Sequence, residues 1–182
     1  MKCSYTLYDD IAQKGGKPVM WKAGHSLIKA KMKEVDAELA GEMSGHIFFK
    51  HCYFGFDDAL YATARLLEIL THTQRTLSQL LADVPRTFST PELRVATQEE
   101  KKFEVVRRAT ELLRATGHGI VDVDGVRVTL PDGAWGLIRP SNTQPILVLR
   151  YEASSEARLG DVRALIEATL ARAQREAGVS AS

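Results

Sequence analysis

Hydrophobic positions recur along this chain with two periods, and the changes of period mark its elements. Leu27, Ile28, Lys31, Met32 and Val35 fall at helical spacing behind Ser26, which is placed to cap them. Upstream, Pro18-Val19-Met20-Trp21 reads as a short buried strand. Leu39 to Met43 and His46 to Phe49 read as strand segments on either side of a tight Ser44-Gly45 turn. A helix follows, carrying Leu60, Ala64, Leu67 and Leu70 behind Asp57 or Asp58 as cap, and then a shorter one over Leu77 to Ala82. The order predicts an α/β first half.

After Thr71 the text turns polar and breaks at Pro85 and at Ser89-Thr90-Pro91, which predicts a linker near residues 84–90 and two domains, 1–84 and 85–182. Beyond it, Glu92 to Ala96 is a strand candidate. Glu99 to Ala115 is an amphipathic helix with Phe103, Val106, Ala109, Leu112 and Leu113 inward and Gly117 past its end. Val121, Val123, Val126, Val128 and Leu130 alternate with polar residues around Asp124-Gly125, a pair suited to a two-residue hairpin turn. Strands at Trp135 to Arg139 and Ile146 to Glu152 precede a long helix carrying Leu159, Val162, Leu165, Ile166 and Leu170. This half reads as α+β with a mostly antiparallel sheet.

With 182 residues, 45% hydrophobic and 26% charged, the chain can bury a core. Its 24 basic against 23 acidic residues give a net charge of +1, so nothing draws it to nucleic acid or to an anionic membrane. Any anion must be caught locally. The lysines of Lys22 to Lys33 are followed by Glu34, Asp36 and Glu38 and read as a solvated helix face. No apolar run is long enough to span a bilayer and the start has no secretory h-region, so a cytoplasmic location is expected. Cys3 and Cys52 are too few for a disulfide framework.

Two loops carry candidate chemistry. Gly41-Glu42-Met43-Ser44-Gly45-His46 joins a carboxylate, a hydroxyl and an imidazole at a strand end. A carboxylate accepts from two sugar hydroxyls at once, while Ser and His donate or accept, which suits a hexose face; an ordinary polar turn fits the composition as well. Arg139-Pro140-Ser141-Asn142-Thr143 offers a guanidinium, two hydroxyls, an amide and successive backbone N–H groups, the parts of a phosphate cradle or of a plain turn. Arg150 on the next strand adds a second positive charge or faces solvent. Asp122-Val123-Asp124-Gly125 superficially resembles a magnesium loop or a phosphatase nucleophile motif, but the alternating valines favour the hairpin. His46, His51 and Cys52 lack a further ligand at usable spacing, so no metal site is expected. Asp57 and Asp58 read as a structural helix start.

Gly-Glu-Met-Ser-Gly-His, then Phe54-Gly55-Phe56-Asp57-Asp58, then Arg139-Pro140-Ser141-Asn142-Thr143 resemble in order and spacing the α-D-phosphohexomutases, and among them the bacterial phosphomannomutase/phosphoglucomutase group. The likeness extends to Lys2-Cys3, Gly16 to Lys22 and Gly24-His25-Ser26. It implies most of the family's third domain, a mixed sheet with helices, followed by its fourth, a TATA-box-binding-protein-like fold. It further implies that Glu42 and Ser44 contact sugar hydroxyls, that His25, His46 and Lys2 line the cleft, and that Arg139, Ser141, Asn142 and Thr143 hold the non-reacting phosphate, with Arg150 nearby. Such enzymes interconvert hexose 1-phosphate and 6-phosphate through a bound hexose 1,6-bisphosphate. Their phosphoserine loop and Mg2+ loop belong to amino-terminal domains that the chain does not carry. The expectation is therefore the ligand-reading half of a mutase, silent alone and marginally stable in its first half, with a non-catalytic phosphosugar-binding module or pseudoenzyme as the alternative.

Overall fold

The computed structural model describes residues 1–179, and the chain divides into two units, Lys2–Pro85 and the stretch from Arg86 onward with Met1. Residues 180–182, the end of the second expected domain, lie outside the described residues.

The first unit opens with a helix not expected from the sequence, α1 (Tyr5–Gln13), capped by Ser4 Oγ accepting from the Thr6 N–H at 3.2 Å. In place of the strand expected at Pro18–Trp21 the chain is irregular, because a strand needs a neighbour for its ladder and this run gains none among the described residues. Trp21 lies instead beneath the Lys31 ammonium, 4.2 Å from the ring centre. Helix α2 (His25–Val35) begins one residue before Ser26, and Gly24 is its cap, at a φ of 125° that a side chain would resist.

β1 (Leu39–Gly41), β2 (Ile47–Phe49) and β3 (Phe56–Asp57) form a three-stranded sheet in that order, with Ala40 opposite Phe48 and Phe48 opposite Asp57. All its pairings are antiparallel, where a mixed sheet was expected, since tight connections join each strand to the next. α3 (Ala59–Thr71) is capped by Asp58, whose Oδ1 accepts from the Tyr61 N–H at 2.9 Å. α4 (Leu77–Leu80) starts on a Thr76/Gln79 capping box and stops two residues short of the expected Ala82. Ile28 and Met32 of α2 pack on Phe48 to make the small core, while Leu60 and Leu67 of α3 stay 85% and 56% exposed.

In the second unit, β4 (Phe88–Ser89) and β5 (Leu93–Ala96) precede α5 (Lys102–Arg114). β6 (Gly119–Val121), β7 (Val126–Thr129), β8 (Trp135–Pro140) and β9 (Ile146–Ala153) then lead into α6 (Glu156–Glu176). The sheet runs β4-β9-β8-β7-β6, with β5 also on β9, and every pairing is antiparallel. Period-two alternation sends Val126, Val128, Ile138, Leu147, Leu149 and Tyr151 to one face, where they join Val105, Ala109 and Leu113 of α5 and Val162, Ile166 and Leu170 of α6. The opposite face carries Arg94, Arg127, Arg139 and Arg150. Phe103, expected inward, is 59% exposed: the stripe is set by Lys102, Val105, Val106, Ala109 and Leu113, which turns Phe103 outward. No helix among the described residues is long and apolar enough to cross a membrane.

Candidate functional site

The first loop hangs between β1 and β2. Its backbone is closed by the Glu42 N–H donating to the His46 carbonyl at 2.9 Å and the Gly45 N–H to the Glu42 carbonyl at 3.0 Å. With the turn fixed, side chains at its two ends point to one place. Glu42 is the best enclosed, 13% exposed, and its Oε1 accepts from the Gly24 N–H at 2.9 Å. The turn before α2 thus orients the carboxylate. His25, the first residue of α2, puts Nε2 at 3.9 Å from Glu42 Oε2 and Nδ1 at 3.4 Å from Asp57 Oδ1. His46 Nδ1 lies 3.5 Å from Glu42 Oε2 and 2.8 Å from Ser44 Oγ. The two imidazoles meet edge to face at 4.6 Å, and His25 also stands on the buried Phe48 ring at 5.4 Å. Two imidazoles, two carboxylates and a hydroxyl therefore converge, with the rings nearly half-exposed and able to meet a ligand.

The second loop joins β8 to β9. Ser141 anchors it: its N–H donates to the Ile146 carbonyl at 3.0 Å, and its Oγ accepts from the N–H groups of Thr143 at 3.3 Å and Gln144 at 3.2 Å. That hydroxyl is part of the turn, while Asn142 and Thr143 are exposed at its tip. Arg139 leaves the end of β8 with its Nε donating to Asp124 Oδ2 at 2.7 Å, a pair only 11% and 14% exposed. Arg150 is opposite Leu137 and so shares a sheet face with Arg139, one diagonal away. Arg94 Nη1 donates to Gln144 Oε1 at 3.0 Å and the buried Lys102 ammonium reaches the Gln144 carbonyl at 3.4 Å, bracing the loop from β5 and α5.

Models of two family domains match the chain: "Phosphoglucomutase/phosphomannomutase, alpha/beta/alpha domain III" over residues 1–88 and "Phosphoglucomutase/phosphomannomutase, C-terminal domain" over residues 92–169. The chain belongs to the phosphoglucomutase/phosphomannomutase family. Among its relatives, a phosphomannomutase/phosphoglucomutase of Pseudomonas aeruginosa is 49% identical over 163 residues, covering 90% of this chain and 35% of the relative. A phosphoglucomutase of Neisseria meningitidis is 46% identical over 164 residues, 88% of this chain and 35% of the relative. A crystal structure of a phosphoglucomutase/phosphomannomutase family protein from Burkholderia thailandensis superposes with a TM-score of 0.80 at 44% identity, over 100% of this chain and 37% of that one. The chain thus spans about a third of the length of the relatives it matches.

Within this family framework the structure brings His25, Glu42, Ser44 and His46 together and adds Asp57, which nothing in the residue pattern distinguishes from Asp58. One acid of the doublet caps α3 while the other, on β3, faces His25. Lys2 is half-buried ahead of the Ser4 cap. Asp124, read from sequence only as a turn residue, is the partner of Arg139. The turn seats it there because Gly125, at φ 93°, passes so close that an added Cβ would lie 2.4 Å from the Ile138 carbonyl oxygen. A magnesium ion of the kind the family implies does not fit the residues present. Asp122 and Asp124 each engage a guanidinium, of Arg114 and Arg139, and the His25–His46–Asp57 group is rich in nitrogen where magnesium prefers oxygen.

Proposed function

We propose that this chain is the hexose- and phosphate-binding part of a phosphohexomutase that interconverts hexose 1-phosphate and 6-phosphate through a 1,6-bisphosphate. In this reading residues 1–84 are part of the family's third domain and 85–182 its fourth, with the antiparallel sheet under two helices in the TATA-box-binding-protein-like manner. Glu42 and Ser44 read sugar hydroxyls, and His46, His25 and Lys2 line the cleft. Arg139, Ser141, Asn142 and Thr143, with Arg150 beside them, hold the phosphate that is not reacting. Magnesium and the phosphoserine come from family domains outside the matched part, and the chain alone is catalytically silent. Substrates that are phosphate esters, too charged to cross a bilayer unaided, fit a cytoplasmic protein.

The observation that carries this reading is Glu42, held by the Gly24 N–H between two imidazoles and a hydroxyl. A carboxylate fixed in this way accepts from a vicinal diol, and its neighbours donate or accept according to which hydroxyls face them. Both orientations of a hexose bisphosphate meet the same set. Phosphate, by contrast, is bound best by the guanidinium of Arg139, whose Nε is already held so that its terminal nitrogens are pre-oriented.

Calorimetric titration of the chain with mannose 1-phosphate and glucose 1-phosphate tests this assignment. Arg139→Ala is expected to weaken both by about 1.5 to 3 kcal/mol, roughly 10- to 150-fold. Glu42→Ala is expected to alter the preference between the two sugars while leaving inorganic phosphate binding unchanged. Equal affinities in wild type and Arg139→Ala would remove Arg139 from the site, and an unaltered sugar preference would remove Glu42.

A further inference from the structure

We propose that His25, His46 and Asp57 form a site for a transition-metal ion of the zinc class, with Glu42 beside it. One donor atom from each of the three lies within 4.8 Å of the others. Donors around a tetrahedral ion with bonds of 2.0–2.1 Å are separated by roughly 3.3–3.5 Å, so the set has to close by at most about 1.5 Å. The imidazoles can make that adjustment, being 44% and 45% exposed on their side chains, while Asp57 is held in the β3 ladder opposite Phe48. Two neutral imidazoles and a carboxylate suit zinc, copper or nickel and discriminate against magnesium and calcium. The outer contacts suit the role as well. Ser44 Oγ bonds His46 Nδ1 at 2.8 Å and fixes that ring, and Glu42, itself fixed by Gly24, lies 3.9 Å from His25 and 3.5 Å from His46.

Spacing in the sequence offers His46 only His51 and Cys52, which lack a further ligand, so no metal site is expected from it, and the fold gives His46 other neighbours. His51 Nδ1 is 3.6 Å from Glu38 Oε2, and Cys52 is exposed at a φ of 56°. The partners of His46 come from residues 25 and 57, which the antiparallel sheet and the start of α2 deliver to the same spot. Zinc binding stands on this geometry alone. A consequence that also rests on the proposed sugar reading is that the ion occupies the place of the hexose hydroxyls and excludes them.

The test uses the chain and zinc chloride in a phosphate-free, non-chelating buffer, with calorimetry for stoichiometry and NMR of the imidazole resonances for location. The expected result is one zinc per chain, with the His25 and His46 ring signals shifted and affinity reduced at least about tenfold in His46→Gln and in Asp57→Asn. His51→Gln and Cys52→Ser are expected to bind as wild type. Unmoved His25 and His46 rings overturn the proposal, whatever the variants do to the fold, as does binding that is lost in Cys52→Ser or His51→Gln. If zinc binds at the three residues yet leaves hexose phosphate affinity unchanged, the metal site stands and the sugar reading fails.

Discussion

Replacing Asp124 by alanine probes the link between fold and phosphate loop. The residue sits in the turn between β6 and β7 and holds Arg139 through a 2.7 Å contact. Removing one partner of a fully buried pair costs about 3–5 kcal/mol, because a charge is left without compensation. Here the side chains are 11% and 14% exposed, so water reaches the guanidinium and part of that penalty is relieved. A loss of about 2 kcal/mol from the second unit is the expected outcome for Asp124→Ala, and about 1 kcal/mol for Asp124→Asn, which keeps an acceptor. Urea unfolding reads it through Trp135, fully buried in this unit, once Trp21 has been replaced by phenylalanine. A double-mutant cycle with Arg139→Ala isolates the pair, and a coupling of about 1–2 kcal/mol is expected. Additive effects of the two substitutions, or a wild-type midpoint for Asp124→Ala, would refute the argument that Asp124 positions Arg139.

Other outcomes follow from packing and charge. Gly136→Ala would put a Cβ 2.5 Å from Ile166 Cγ1, so it should cost about 1–3 kcal/mol and be partly rescued by Ile166→Val; a neutral urea midpoint would contradict the close approach of α6 to β8. Phe48→Ala removes the centre of a small core and should destabilise the first unit by about 3–5 kcal/mol, detected through Trp21 in a Trp135→Phe background; an unmoved urea midpoint would contradict it. The Asp58 carboxyl is held below its ordinary 3.8, first by the Tyr53 hydroxyl and then by the Tyr61 N–H. A lowered carboxyl adds stability above its unfolded value and loses it as pH falls through the folded one, so the advantage over Asp58→Asn should be constant above pH 3.8 and shrink below it. An advantage that grows with acid in a pH series of unfolding curves would contradict that sign.

How far the sequence could be read depended on whether a pattern was local. The β7–β8–β9 meander and α6 were legible because alternation and helical spacing there serve one large core. The two-residue Asp124-Gly125 turn expected before them is not formed: Val121 pairs with Arg127 instead of Val128, so the turn is longer and the register shifts by one. α1 was missed although Tyr5, Tyr8, Ile11 and Ala12 fall at helical spacing, because a run of only 9 residues is too short for that period to stand out. Pro18–Trp21 shows the reverse error: the apolar run is neither paired nor buried, with Val19 48% exposed, and Trp21 found a lysine instead. At the site, the glycine-flanked loop and Arg139 could be found from residue types. Asp57 and Asp124 could not, because the role of Asp57 depends on its place in β3 and that of Asp124 on the geometry of a turn, and both on contacts 32 and 15 positions away in the chain, to His25 and Arg139. The arginine-bearing sheet face was hidden for the same reason, as only the register of β8 against β9 aligns Arg150 with Arg139.

The central claim, that both loops bind one class of ligand, is tested most directly by backbone amide NMR of the chain during titration with glucose 1-phosphate, glucose 6-phosphate and inorganic phosphate. The account predicts that both sugar phosphates shift the amides of residues 41–46 and 139–144, whereas inorganic phosphate shifts only 139–144. Sugar phosphates that leave 139–144 unmoved, or that map to the Lys22–Lys33 face instead, would contradict it.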